Sequence, residues 1–188
     1  MSYLVADRSA IERLALDARR IVAQGDATVL EGPWPWTSVV VAHVDDATVE
    51  TARARGIEGY AVDAVGEPGA GQALVVAAHR MLDLERFKPY ADQVSAIVER
   101  FRGRFLARAA KATMLGGNFV SERAVIIEFP TAADAVAFYV SDVYAPLMTI
   151  RHACTDPRFL IMAREGALPA AARAEAESYL RRHPASSH

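Results

Sequence analysis

The stretch AVIIEFP, residues 124–130, has the length and composition of a β-strand and carries a single carboxylate, Glu128. Side chains along a strand alternate between the two faces of the sheet, so a strand with one wet face alternates apolar and polar residues. Neither this stretch nor TSVVVAHV, residues 37–44, shows that alternation. Both strands therefore predict sheets that are covered on both faces.

Capping residues and glycines indicate where helices lie between these strands. Ser9 and Glu12 form a capping box, which predicts a first helix that stops at Gly25. Asp45 or Asp46 predicts the cap of a second helix, which ends near Gly56. The strands predicted around them are SYLVA (2–6), ATVLE (27–31), TSVVVAHV (37–44) and GYAVDAV (59–65). The first half is thus predicted to run strand, helix, strand, strand, helix, strand.

GEPGAGQ, residues 66–72, predicts a linker, because glycine and proline both break regular structure. The same series then starts again, with Asp83 capping a helix to about Arg102 and Thr131 with Asp134 capping another through Tyr139. The remaining predicted elements are the strands ALVVAAH (73–79), RFLARAA (104–110), ERAVIIEF (122–129) and RFLIMAR (158–164), a helical turn or two in DVYAPLMTIRHA (142–153), a terminal helix in 168–183 with Pro169 in its first turn, and a tail PASSH (184–188).

A weak internal repeat accompanies the repeated order of elements. Seven identities share a separation of 85 residues. They pair Ala27, Thr28, Leu30, Gly32, Val40, Ala47 and Ala52 with Ala112, Thr113, Leu115, Gly117, Val125, Ala132 and Ala137. The helix-ending glycines Gly25 and Gly103 are only 78 apart, which a longer hairpin in the second half would explain.

The fold class that follows is α+β. A split β-α-β unit puts its helices on one face of an antiparallel sheet, and two such sheets in one chain can cover each other's remaining face. We therefore expect tandem ferredoxin-like units that form an intrachain dimeric α/β barrel, followed by a C-terminal helix. The expected divisions are a first repeat in 1–66, a linker in 67–72, a second unit in 73–166, and the helix and tail in 167–188.

Composition narrows the function classes. Acidic residues outnumber basic ones by 23 to 21, and neither sign forms a run that could follow a phosphate backbone, so no nucleic-acid partner is expected. No window approaches the ~18 apolar residues of a membrane span, and the opening MSYLVADR lacks a signal pattern. A cytoplasmic protein without a membrane partner is the expectation. Cys154 is the single cysteine and is interpreted as a buried or incidental thiol.

The second half resembles the domain-of-unknown-function family 1330, of the dimeric α/β-barrel superfamily, in GRFLARAAKATMLGG (103–117), RAVIIEFPTAADAVAFYVSDVYAPL (123–147) and the following Arg151. The likeness spans residues 74–165. VLEGPWPWTSVVVAHVDD (29–46) resembles the same family, but His43, Val44 and Asp45 replace its glutamate-phenylalanine-proline signature, so the first half is expected to be a degenerate copy. The resemblance implies a ferredoxin-like fold that normally dimerises through its sheets, and it implies no reaction.

Glu128 and His43 are the candidate catalytic residues. A carboxylate buried without a partner has a raised pKa and could serve as a general base. His43 is the repeat equivalent of Glu128, 85 residues earlier, so a pseudo-twofold axis could bring the two side chains toward one cavity. The alternative is a structural Glu128 that pairs with an arginine such as Arg108 or Arg123.

Five further residues are candidates for substrate binding. Tyr144 and Arg151 are seven apart and share one face if the segment is helical, and with Tyr139 they could hold a carboxylate-bearing ligand. The alternative is that Tyr139 packs the helix on the sheet and Arg151 is solvated. Arg108 is the fourth candidate. Trp34 is the fifth, and with its neighbouring tryptophan it could cover a pocket mouth or serve an interface.

Two function hypotheses follow. The first is a small-molecule-binding protein, with an apolar or carboxylate-bearing ligand, that could act as an enzyme without a cofactor; a cavity lined by Glu128, His43 and tyrosines would favour it. The second is a structural or oligomerisation module, favoured by a filled barrel with both residues salt-bridged. Neither needs a cofactor. His152 and Cys154 alone are too few for a metal site, so no metal is expected, and a homo-oligomer is compatible with both hypotheses.

Overall fold

The computed structural model describes residues 1–183, except the side chains at positions 109 and 110, so the tail predicted for 184–188 lies outside the described residues. The first half contains β1 (Ser2–Asp7), α1 (Ala10–Leu14), a 3-10 turn (Ala18–Arg20), β2 (Ile21–Asp26), β3 (Thr28–Glu31), β4 (Ser38–Val44), α2 (Asp46–Ala54) and β5 (Gly59–Asp63). The second half contains β6 (Ala73–Met81), α3 (Leu84–Arg100), β7 (Arg104–Lys111), β8 (Thr113–Gly116), β9 (Arg123–Phe129), α4 (Ala132–Val140), α5 (Ala145–Cys154), β10 (Thr155–Ala163) and α6 (Ala170–Arg182). The α+β class is therefore confirmed.

The strands form two five-stranded antiparallel sheets. We call the sheet with the order β2-β4-β1-β5-β8 sheet A, and the sheet with the order β3-β10-β6-β9-β7 sheet B. Each sheet takes four strands from one half of the chain and one short strand from the other half. β3 of the first half pairs with β10, and β8 of the second half pairs with β5. The two halves are thus joined by backbone hydrogen bonds as well as by side-chain packing.

Both faces of each sheet are buried, as the apolar strands predict. One hydrophobic cluster lies between the sheets and includes Val39 and Val41 of sheet A and Val76 and Ile126 of sheet B. A second cluster lies between sheet B and helices α3 to α6, and a third lies between sheet A and helices α1 and α2. Within residues 1–183, no helix has the length and apolar character needed to cross a membrane.

The predicted caps of three helices are confirmed. Asp45 accepts a hydrogen bond from the backbone amide of Thr48, at 2.9 Å, at the start of α2. Asp83 accepts one from the amide of Arg86, at 3.0 Å, at the start of α3. Thr131 accepts one from the amide of Asp134, at 3.1 Å, at the start of α4.

The first predicted helix is wrong in its extent and in its cap. Ser9 makes no capping bond; its amide instead donates to Asp7 Oδ1 at 2.9 Å. The helix ends after Leu14, because Ala15 adopts a left-handed conformation with φ 50°. Ile21 and Val22, which the predicted helix would have included, belong to β2, which pairs with β4, so Gly25 lies inside a strand and does not end a helix.

The assignment of strands to sheets also differs from the prediction. ATVLE was expected to be the second strand of the first unit, but β2 holds that place in sheet A and β3 pairs in sheet B. The matching strand of the second half, β8, was not predicted. Both are only four residues long, which is too short for an alternation pattern to be recognised.

Gly32, the residue after β3, tests how closely the chain approaches β10. Gly32 has φ +65°, and a Cβ there would lie 2.3 Å from the backbone oxygen of Pro157 in β10. Gly56 has φ +58° with no atom within 4 Å of its Cβ position. Gly56→Ala should therefore cost about 1 kcal/mol of unfolding free energy through backbone strain alone, and Gly32→Ala at least about 1 kcal/mol more. Urea denaturation measures both, and equal losses would contradict the close approach.

Candidate functional site

A cluster of buried polar residues lies where β3 meets α4 and α5. Arg151 is fully buried and donates two hydrogen bonds of 2.6 Å to the carboxylate of Glu31, which is 4% exposed. Tyr139 donates to the same carboxylate at 2.7 Å, and His152 Nε2 lies 3.1 Å from it. We call these four residues the Glu31 cluster. A cleft of about 210 Å³ opens beside it, between β3, α5 and α6.

The charges of Glu31 and Arg151 stabilise each other. Burial raises the pKa of Glu31, but the charge and hydrogen bonds of Arg151 outweigh burial and hold the pKa well below its usual range. Burial and the charge of Glu31 raise the pKa of the Tyr139 hydroxyl, which therefore stays protonated and acts as a donor. Arg151 was predicted to hold a ligand's carboxylate, but in the structure it holds a carboxylate of its own chain. The alternative of a solvated Arg151 is wrong.

Aromatic rings surround Arg151 and connect the cluster to the interior. Its guanidinium carbon lies 5.0 Å from the ring centre of Phe159 and 6.0 Å from that of Tyr144. The Tyr144 hydroxyl is 3.2 Å from the hydroxyl of Tyr90 on α3. The structure therefore brings together three of the predicted site residues: Tyr139, Tyr144 and Arg151.

On the far side of Tyr90, a small apolar cavity separates α3 from sheet B. Its volume is about 30 Å³, room for about two water molecules on this measure. We call it the His79 cavity; its lining consists of Ala77, His79, Phe87, Tyr90, Ala91, Val94, Phe105, Arg108, Val125, Ile127, Phe138 and Phe159. Five of these residues are aromatic Phe or Tyr side chains, so the lining suits a flat apolar molecule.

His79 is the polar residue deepest in this lining. It is 2% exposed, and its Nδ1 has no hydrogen-bond partner among the described residues. Burial, reinforced by the positive charge of Arg151, lowers the pKa of His79 to about 3. The imidazole is therefore neutral at physiological pH and offers one unused hydrogen-bonding nitrogen.

Arg108 lies at the edge of the same cavity, on the edge strand β7. Its side chain is exposed and donates a hydrogen bond of 3.1 Å to the backbone oxygen of Ala91 on α3. Its guanidinium carbon lies 5.2 Å from the ring centre of Phe105. Arg108 is the single charged side chain in the lining, since His79 is neutral.

Glu128 lies at the other end of sheet B and is fully paired. Its carboxylate accepts hydrogen bonds from Arg104 Nε at 2.6 Å, from Arg164 at 2.8 Å and from the amide of Gly69 at 3.0 Å. The structural alternative foresaw an arginine partner but named the wrong ones, because Arg108 bonds Ala91 and Arg123 lies at the opposite end of β9. The predicted catalytic role stays a prediction.

Among the described residues, no hydrogen bond or ion pair joins His43 to Glu128. By the alternation along β4 and β9, both side chains lie on the strand faces toward the inter-sheet cluster. His43 Nδ1 is 3.4 Å from Glu67 of the linker, and its ring packs 4.8 Å from the ring of Tyr3. Glu128 is therefore paired with arginines and His43 lies beside Glu67, and neither residue lines the His79 cavity.

Trp34 packs at the far end of the inter-sheet cluster. Its ring lies 5.3 Å from that of Phe119 and 6.0 Å from that of Trp36. It does not line the His79 cavity or the cleft beside Glu31.

Cys154 is buried and donates to the backbone oxygen of Ile150 at 2.9 Å. Among the residues the structure describes, no three His, Cys, Asp or Glu side chains are grouped to hold a metal ion.

Sequence reasoning missed Glu31, His79 and Tyr90. Glu31 ends the apolar run ATVL, and His79 ends ALVVAA. Glu128 was selected as the single carboxylate of an apolar strand, and His43 as its repeat equivalent. A search for every single polar residue in an apolar strand would also have found Glu31 and His79. Tyr90 gives no such signal, because an aromatic residue on a helix is ordinarily part of the core.

The Glu31–Arg151 pair should dominate the stability of this region. Glu31→Gln should lower the unfolding free energy by about 3–5 kcal/mol, because it leaves a buried guanidinium without its counter-charge. Adding Arg151→Met to that variant should restore part of the loss. Glu50→Gln, which removes an exposed pair with Arg53, is the matched control and should change little. A comparable loss in both single variants, measured by urea denaturation, would contradict the assignment.

His79 should make stability depend on pH. Its pKa is near 6.5 when unfolded and about 3 when folded, so between these values the unfolded chain binds the additional proton and stability falls as pH falls. From pH 7 to pH 5, the wild type should lose about 2 kcal/mol more unfolding free energy than His79→Leu. Parallel pH profiles for the two proteins would show that His79 is not buried neutral.

A family model described as "Domain of unknown function (DUF1330)" matches residues 72–164. Among curated proteins, none matches the chain. The matched residues include His79, Tyr90, Arg108, Tyr144 and Arg151, whereas Glu31 comes from the other half. The resemblance seen in the sequence is thus confirmed, since residues 72–164 match the DUF1330 family model.

Proposed function

We propose that this protein binds a small, largely apolar molecule in the His79 cavity. The observation that carries the proposal is the unpartnered Nδ1 of His79 in an apolar lining. A buried polar atom without a hydrogen bond costs roughly 1–3 kcal/mol relative to a satisfied one. Such atoms are uncommon in folded proteins and call for a partner, which water or a ligand can supply.

The chemistry of the cavity restricts what can bind. Neutral imidazole can donate or accept one hydrogen bond at Nδ1, according to its tautomer, so a hydroxyl or carbonyl group would satisfy it. The aromatic lining favours a planar body. A positively charged group is disfavoured, because Arg108 and the nearby Arg151 are both positive and no acidic side chain lines the cavity.

The volume requires that the cavity widen when it binds. At about 30 Å³ it is far smaller than the ~150 Å³ cavity that admits benzene in an engineered protein. The inner walls are rigid, because Tyr90 and Phe159 are held by the Tyr144 and Arg151 contacts. Arg108, exposed and on the edge strand β7, is the lining residue with the greatest freedom to move.

We infer further that the two halves are ferredoxin-like units that form an intrachain dimeric α/β barrel. Strand order supports this, since β5-β1-β4-β2 and β10-β6-β9-β7 have the same sequence of first, second, third and fourth strands. The spacing of the repeat supports it as well. β3 and β8 begin 85 residues apart, as do β4 and β9, and β3 and β8 each cross to the opposite sheet.

A non-catalytic structural module is the second candidate. The space between the sheets is filled by a hydrophobic cluster. At its end Glu128 is paired with Arg164, and His43 lies 3.4 Å from Glu67. This arrangement favours a scaffold role for the inter-sheet region. It makes no use of the His79 cavity, which lies on the opposite face of sheet B.

Phenol and toluene test the binding proposal, because they share a ring and differ in one hydroxyl group. In an NMR titration, phenol should shift the amide resonances of Ala77, His79 and Val94 and bind more tightly than toluene. In His79→Leu that preference should disappear. His43→Leu is the matched control, since His43 is another buried histidine with an unpartnered nitrogen, and it should keep the preference.

Two results would overturn the proposal. One is the absence of shifts around the cavity with either probe up to the limit of solubility. The other is an unchanged preference for phenol in His79→Leu. Either would leave the structural module as the better account of the chain.

A further inference from the structure

We propose that Arg108 is both the closure of the His79 cavity and the anchor for an anionic group, so that the ligand is a small aromatic or apolar monocarboxylate. This inference rests on the proposed function of the cavity. It adds the charge of the ligand and the residue that recognises that charge.

The first support is the missing counter-charge of Arg108. In the part of the chain that the structure describes, Arg108 makes no ion pair; its contacts are the Ala91 oxygen and the ring of Phe105. The arginines at the other sites discussed above behave differently. Arg104 and Arg164 pair with Glu128, and Arg151 pairs with Glu31. Arg108 therefore keeps a full positive charge available to a ligand.

The second support is the position of the Arg108 side chain across the edge of the cavity. The hydrogen bond to Ala91 connects the edge strand β7 to α3, which form two sides of the lining. The acceptor is a neutral carbonyl oxygen, whereas a carboxylate would give a charge-assisted and stronger bond. A ligand carboxylate can therefore replace Ala91 as the partner, and the side-chain movement that makes this contact also opens the cavity.

The third support is the division of polarity within the lining. The neutral His79 is buried, whereas the charged Arg108 is exposed. A molecule with an apolar ring inside, a hydrogen-bonding group toward His79 and a carboxylate toward solvent matches this order. One arginine without a second cation suits a single negative charge, whereas a phosphate ester would leave acceptor oxygens unpaired.

Benzoate and benzyl alcohol test this inference with the same ring and different charge. Wild-type protein should bind benzoate more tightly than benzyl alcohol, and added sodium chloride should weaken benzoate binding alone. In Arg108→Gln, benzoate affinity should fall by about tenfold, as expected for the loss of one charge-assisted hydrogen bond. Phenol and benzyl alcohol should bind this variant at least as well as wild type, because the closure is weakened.

Arg100→Gln is the matched control, since Arg100 is an exposed arginine on α3 outside the cavity lining, and it should bind benzoate as wild type does. If benzoate binds Arg108→Gln as tightly as wild type, or shows no preference over benzyl alcohol, this inference is overturned. The phenol titration would then still test the proposed function on its own. If phenol, benzyl alcohol and benzoate all fail to bind, both proposals fall together.

Discussion

The constraint on which the structure depends is that the strands are apolar on both faces. β4, β6 and β9 each carry long runs without polar alternation, so a single layer of helices cannot bury them. The chain meets this requirement by packing sheet A against sheet B and covering the outer face of each sheet with helices. Helices α3 to α6 on the outer face of sheet B then create the space in which the His79 cavity lies.

Polar residues occur near the ends of the apolar strands β3, β4, β6 and β9, and they differ in the partners that they have. Glu128 has two arginines, His43 has Glu67, and Glu31 has Arg151. His79 is at an equivalent place in its strand, but its Nδ1 has no partner. The same sequence feature thus gives a side chain with a charged neighbour at three places and, at the fourth, a histidine nitrogen without a partner beside a cavity. Whether such a residue has a partner depends on which side chains the neighbouring elements place beside it, and the tertiary structure determines this.

The sequence therefore predicted the fold better than the site. Long apolar runs and the caps at Asp45, Asp83 and Thr131 have strong local signals, and they gave correct strands and helices. Short segments have weak local signals. For this reason the first helix was predicted to extend over β2, and β8 was not predicted. Partners depend on long-range contacts: Glu31 and Arg151 are 120 residues apart, and no local pattern connects them. Tyr139, Tyr144 and Arg151 could be grouped from the sequence because they lie close together along the chain, in α4, at the start of α5 and within α5; their role in binding stays a prediction.

The exchange of β3 and β8 between the sheets holds the two halves of the chain together. Each half contributes a strand that is hydrogen-bonded within the other half's sheet, so neither half can leave without breaking a ladder in both. If the backbone were cut in the linker 67–72, the two fragments would therefore still be joined by these two ladders. The covalent connection sets the order of the elements along the chain, while the interlocked strands keep the two pieces together.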